Sequence, residues 1–161
     1  MRLPVEEVSE RYRDRLFAAA FHLTADPMDA EDAVQETLIR YYTAQKEFES
    51  EEHLRAWLFR VAINLAKNLG RSVWRRKTVA LEEYEASLPF EAAWESDLFW
   101  AMTRMPKKNR AVIHLYYYEE YSVREIAAIL GISESAVKQR LKRGRDYLKL
   151  TLKEEWNNDE P

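Results

Sequence analysis

Lys138 and Gln139 are neighbours in GISESAVKQRLKRGRDYL, residues 131–148, a segment whose side chains suit the edges of nucleic-acid bases. Lysine reaches guanine acceptors, glutamine pairs bidentately with adenine, and serine serves either. Ser133 to Lys149 holds six bases against Glu134 and Asp146. Arg140, Arg143 and Arg145 fall to the sides, where phosphates would lie, and phosphate contacts position without specifying sequence. A second basic block runs from His53 to Thr78, with Arg55, Arg60, Lys67, Arg71, Arg75, Arg76 and Lys77 and no acid. Between the blocks, Val79 to Trp100 carries six acids and no base. On a chain of net charge −3, two such blocks suggest two surfaces for one polyanion. A solvated helix face would explain either block alone.

The elements that position these residues are marked by caps. Ser122 with Glu125 three residues on is a capping box, and it opens a helix from Val123 to Leu130. Gly131 supplies the left-handed turn, and Ser133 caps the next helix, which begins at Glu134. Ala127, Gly131 and Val137 are then a small residue, a turn and an apolar lock in helix-turn-helix order. Ile126, Leu130, Ile132 and Leu141 form the seam. The face away from Val137 and Leu141 presents Ser135, Lys138, Gln139 and Lys142. Caps, spacing and charge agree on a DNA-binding unit.

The rest of the chain is helical by period. Val5, Val8, Tyr12, Leu16, Ala19 and Leu23 predict a first helix. Asp26-Pro27 reads as a cap and first position of a second, to about Gln45, with Asp29, Glu31 and Asp32 where the macrodipole favours acids. Ser50 caps a third, whose stripe Leu54, Trp57, Leu58, Val61, Leu65, Leu69 and Val73 carries it past Gly70 to Arg76. TVALEEYEASLPFE, from Thr78, reads as a linker. Ala92 to Met105 and, after Pro106, Lys107 to Glu119 are further helices. The fold class is all-α: two helical domains, 1–77 and 92–156, joined by a flexible acidic linker at 78–91, with the C-terminal domain a helix-turn-helix. Three glycines and no strand-like alternation agree with this.

Other classes are disfavoured. Without cysteine there is no disulfide and no thiolate metal site. His22, His53 and His114 lack metal-ligand spacing, and no glycine-rich phosphate loop or nucleophile motif occurs, so neither an enzyme, a metal nor a cofactor is expected. No apolar run is long enough to span a bilayer and the N-terminus lacks the apolar core of a signal peptide, which makes the cytoplasm the expected location without membrane insertion.

DPMDAEDAVQETLIRYY, HLRAWLFRVAINLAKN and RMPKKNRAVIHLYYYEEYSVREIAAILGISESAVKQRLKRGRDYL together resemble an extracytoplasmic-function sigma factor, a small two-domain member of the sigma-70 family. The resemblance implies an N-terminal region two that docks on the clamp helices of bacterial core RNA polymerase through Asp29, Asp32, Gln35, Glu36, Leu38, Ile39 and Tyr42. Helix-end electrostatics alone would explain Asp29 and Asp32, but not Glu36. It implies that Asn64 helps hold a flipped base of the −10 strand while Arg60, Lys67, Asn68, Arg71, Arg75 and Arg76 follow the backbone. The loop Phe48 to His53 would border that pocket, and its acids Glu49, Glu51 and Glu52 depart from the family's glycine- or serine-containing loop. Trp57 and Phe59 are candidates for stacking on bases, with Trp57 assigned by its spacing to the core.

Region four would read the −35 element through Ser133, Ser135, Lys138, Gln139, Arg140, Lys142 and Arg143, and bind the polymerase flap through its earlier helices. Glu120 stands where the family often has glycine, which predicts a slightly different turn. Promoter DNA, core polymerase and an anti-sigma factor are the implied partners of a chain that is monomeric when free. The alternative is an ordinary helix-turn-helix regulator that acts without being a polymerase subunit. It predicts a ligand pocket or a phosphorylatable domain upstream, and the N-terminal half has no βα alternation to build one.

Overall fold

The computed structural model describes residues 1–69 and 97–159, and every regular element among them is helical. The chain divides into two compact units, Met1–Pro89 and Phe90–Pro161. In the first lie α1 (Val5–Thr24), α2 (Pro27–Ala44) and α3 (Glu51–Leu69). The second holds α4 (Asp97–Met102), α5 (Lys107–Ile113), a π-helical turn (His114–Tyr118), α6 (Val123–Leu130) and α7 (Glu134–Asp159). The expected linker 78–91, the extension of α3 to Arg76 and the expected helix start at Ala92 lie outside the described residues.

In the first unit each helix packs on the other two. Ala19, Ala20, Ala30, Ala33, Ala62 and Ala66 are all buried, and small side chains let helix axes approach closely. Leu16, Phe21, Leu23, Tyr41, Leu54, Leu58, Phe59 and Ile63 fill the remaining space. The α3 stripe is therefore rotated from the sequence expectation: Phe59, Ala62, Ile63 and Ala66 are buried, whereas Trp57, Val61, Leu65 and Leu69 are only partly so.

The α1–α2 corner is built locally. Ala25 takes a left-handed conformation and its N–H donates to the Phe21 carbonyl. Asp26 Oδ1 accepts the N–H groups of Met28 at 2.8 Å and Asp29 at 3.1 Å, as the cap reading requires. At the other end of α2, Arg2 donates to the carbonyls of Tyr41 at 2.7 Å, Tyr42 at 3.3 Å and Lys46 at 2.9 Å, and stacks over the Tyr41 ring.

In the second unit, α4 stops at Met102, short of the expected Met105. Thr103, Arg104 and Met105 donate to carbonyls three residues back, and Pro106 disfavours a helical residue before it. The expected continuous helix Lys107 to Glu119 changes pitch at His114, where the Glu119 N–H reaches back to the His114 carbonyl at 3.3 Å. The His114 ring is fully buried and lies parallel to Tyr118 at 4.9 Å, and its burial pushes the imidazole pKa down to about 3. Glu120 then sits at φ +60°, a glutamate in the left-handed conformation that glycine favours.

Candidate nucleic-acid interface

The helix-turn-helix forms as its caps dictate. Ser122 Oγ accepts the Glu125 N–H at 3.1 Å while Glu125 Oε1 accepts the Ser122 N–H at 2.9 Å. Gly131 takes φ +68°, and the Ile132 N–H closes back on the Ala127 carbonyl at 3.1 Å. Ser133 Oγ accepts the Ala136 N–H at 3.0 Å, so this serine's oxygen serves the cap first. Val137 and Leu141 are buried as expected, and the seam is completed by Ile126 and Ile129, with Leu130 and Ile132 only half-buried. Those anchors turn Ser135, Lys138, Gln139 and Lys142 outward together, with Arg143 exposed on one flank and Arg140 half-buried beyond it.

Arg145 does something other than wait for a phosphate. Its Nε donates to Tyr117 Oη at 2.7 Å, and its guanidinium lies over the rings of Tyr116 and Tyr117. It braces α7 against the π-helical turn. Beside it runs an apolar groove of about 300 Å³ lined by Leu98, Met102, Ile113, Tyr117, Tyr118 and Leu148.

On α3, Arg60, Asn64 and Asn68 are exposed and Lys67 is half-buried, on the side away from Leu58, Ala62 and Ala66. Arg71, Arg75 and Arg76 lie outside the described residues. Phe59 is fully buried, so it cannot stack on a base, because its rotation places it in the three-helix core. Trp57, expected in the core, is the more accessible of the two, edge-on to Phe48 at 5.7 Å.

The loop before α3 is tied down. Phe48 is buried against Tyr41 and Trp57, and Ser50 Oγ accepts the His53 N–H at 3.1 Å. Glu51 accepts from Arg11 at 2.7 Å and Tyr12 at 3.0 Å, bonds that hold its carboxyl below the usual carboxylate range. Glu51 is thus paired with α1, yet it stays exposed like Glu49 and Glu52. At 1.5 Å per residue, the eleven residues from His53 to Asn64 span roughly 16 Å along one side of α3.

On α2, Asp32, Gln35, Ile39 and Tyr42 are exposed, Glu36 and Leu38 are half-buried, and Glu36 pairs with Arg40 at 3.3 Å. Asp29 is buried at 3% exposure beneath the Asp26 cap, which removes it from any docking surface. Met28, which the sequence reading passed over, belongs to this face at 46% exposure. Residues 28, 32, 35, 39 and 42 follow spacings of four and three, the period of a seam made for another helix. That spacing was the available signal. Among the described residues no cluster of His, Asp and Glu could hold a metal ion, and no helix is long and apolar enough to cross a membrane.

Residues 8–76 match the family described as Sigma-70 region 2, and residues 101–148 match Sigma-70, region 4. The chain is 37% identical over 147 residues to the ECF RNA polymerase sigma factor SigL of Mycobacterium tuberculosis, covering 86% of this chain and 83% of that protein. It is 29% identical to the ECF RNA polymerase sigma factor SigW of Bacillus subtilis, covering 92% and 88%. Among solved structures it is similar to RpoE of Bartonella quintana in complex with the anti-sigma factor NepR, with a TM-score of 0.71, 25% identity and coverage of 92% and 96%. It is also similar to CnrH in complex with the cytosolic domain of CnrY, with a TM-score of 0.68, 26% identity and coverage of 97% and 89%.

Proposed function

The chain belongs to the extracytoplasmic-function group of the sigma-70 family, and on that premise we propose how its surfaces divide the work of an alternative sigma factor. It binds core RNA polymerase and directs it to promoters; it is an initiation factor and not a catalyst. The exposed stripe of α2 docks on the polymerase clamp helices, with Met28, Ile39 and Tyr42 as apolar contacts and Asp32, Gln35 and Glu36 between them. Arg60, Asn64, Lys67 and Asn68 of α3, together with Arg71, Arg75 and Arg76, meet the −10 strand. The outward face of α7 reads the −35 element. The groove of the second unit, lined from α4, α5 and the π-helical turn, is the candidate seat for the polymerase flap. Domains at 1–77 and 92–156 on a linker, working in the cytoplasm and held in check by an anti-sigma factor, complete the reading.

The observation that carries it is the α2 stripe. Apolar side chains at helical-seam spacing, left exposed on a helix that buries its other face, suit a helical protein partner. An ordinary regulator acting without polymerase would have no use for that stripe, nor for a region-two match. The test is run-off transcription with purified core polymerase on a promoter library, comparing wild type with Ile39→Glu. Promoter-specific transcripts that are lost with Ile39→Glu, while the protein melts normally, support the reading. Tight sequence-specific duplex binding without polymerase, and no transcripts with it, would overturn it.

A further inference from the structure

All the sulfur of this chain is in four methionines, with no cysteine. Met102 and Met105 are wholly buried in the second unit, whereas Met28 and Met1 are exposed. Thioether oxidation follows exposure, so with no thiol to compete a peroxide meets Met28 and Met1 first. Of that pair, Met28 stands on the α2 stripe, in step with Asp32, Gln35, Ile39 and Tyr42. Its backbone is fixed. The Met28 N–H donates to Asp26 Oδ1 at 2.8 Å, and the next turn closes with the Ala30 N–H on the Asp26 carbonyl at 3.0 Å. The side chain is thus presented outward from a rigid helix start, and a change at its sulfur leaves the three-helix core untouched.

Resting on the reading that this stripe docks on core polymerase, we propose that Met28 is a reversible oxidation site that sets how tightly the stripe docks. The co-reactant is hydrogen peroxide. The Met28 sulfur attacks one peroxide oxygen, an S–O bond forms as the O–O bond breaks, and the sulfur gives up two electrons. The leaving hydroxide takes the proton from the oxygen now on sulfur, so the products are the sulfoxide and water. The thioether is apolar and adaptable and suits a seam shared with Ile39 and Tyr42. The sulfoxide carries a strong hydrogen-bond acceptor, which a partner shaped for the thioether leaves unmet. Docking covers Met28, so the free chain is oxidised and the polymerase-bound chain is protected. Methionine sulfoxide reductases return the thioether, one enzyme for each sulfoxide epimer.

For the test, the full chain is treated with limiting hydrogen peroxide, quenched with catalase, and its sulfoxides are located by peptide mass mapping. Affinity for purified core polymerase is measured before and after oxidation, for wild type and for Met28→Leu, which keeps Met1 as an oxidisable control. The readout is the ratio of Kd values within each protein, so any cost of the leucine itself cancels. Oxidation is expected to weaken wild type about tenfold, through one unmet polar group at the seam, and to leave Met28→Leu unchanged. The two reductases together restore the wild-type value, and melting curves are the same before and after oxidation. Met28 in preformed holoenzyme oxidises several times more slowly than in the free chain. The proposal is overturned, with the docking reading left standing, by any of four results: unchanged wild-type affinity with Met28 fully oxidised, an equal loss in Met28→Leu, a loss matched by a lowered melting temperature, or equal oxidation of Met28 in free and bound chains. Ile39→Glu binding core polymerase as tightly as wild type would remove the docking reading and the proposal with it.

Discussion

Gly144 of α7 turns its bare α-carbon onto Ile113 of α5, so closely that an added Cβ would stand 2.6 Å from Ile113 Cγ1 and 2.8 Å from Cδ1. A glycine inside a helix costs about 1 kcal/mol relative to alanine, so elsewhere this substitution would stabilise. Here overpacking, at about 1–3 kcal/mol, opposes that gain.

Gly144→Ala is therefore expected to destabilise the second unit by about 1 kcal/mol, read from denaturant midpoints. Combined with Ile113→Ala, its cost should shrink or reverse, because the two share one contact. A Gly144→Ala protein more stable than wild type would mean that the helices separate freely at this point.

Glu120 offers the opposite case. At φ +60° a non-glycine residue carries about 1–2 kcal/mol of strain, and glycine gives back roughly 0.4–1 kcal/mol through the unfolded chain. Glu120→Gly should raise stability by about 0.5–1 kcal/mol without altering −35 preference. No gain, or a loss, would show that the glutamate is held there by interactions that repay its conformation.

His114 makes stability depend on pH. Its pKa falls from 6.5 to about 3 through burial, so the folded state keeps it neutral where the unfolded chain takes up a proton. Its contribution is complete above pH 6.5 and is lost as pH falls from 6.5 toward 3, by about 1.4 kcal/mol per unit. Melting curves between pH 7.5 and 5 should show this slope in wild type and a shallower one in His114→Phe. Equal slopes would place the proton uptake elsewhere.

On the proposed reading, the outward face of α7 separates base readout from positioning. Lys138→Ala or Gln139→Ala should cost about 1–3 kcal/mol on the preferred −35 sequence and relax preference at one or two positions. Arg143→Ala should weaken binding to all sequences alike and lower the salt dependence by about one counterion. Holoenzyme binding on a −35 library at several salt concentrations distinguishes these outcomes. Reversed roles would mean the helix is rotated about Val137 and Leu141 from the orientation described.

The parts of the fold written in local chemistry were legible in the sequence. Asp26, Ser50, Ser122, Gly131 and Ser133 announce helix ends because each acts on neighbours two to five residues away, and all five do so. The helices' inward faces were less legible. On α3 the alanines at 62 and 66 carry little hydropathy, yet close packing on α1 and α2 buries them and leaves Trp57 partly outside. Asp29 was read as an outward charge, but the Asp26 corner folds over it. The change of pitch at His114 and the close approach at Gly144 depend on partners brought in by packing. Periodicity does not encode these. On α2 and α7 most of the residues named from the sequence are exposed, but Asp29 is buried and Glu36, Leu38 and Arg140 are half-buried, because period gives the direction of a side chain and not its depth.

Arg2 gives the far end of α2 an unusual dependence. No basic side chain lies in that helix's last turn, and its Tyr41 and Tyr42 carbonyls take donors from a residue 39 and 40 positions earlier in the chain. A helix end closed from so far away frays as one unit with the segment that closes it. Amide exchange should therefore be slow in the middle of α2 but governed at Tyr42 and Thr43 by the docking of residues 1–4. Truncation or extension before Pro4 would then loosen the seam at Tyr42 while leaving Asp32 and Gln35 in place. The reach of the exposed α2 stripe is set partly by the docking of Arg2.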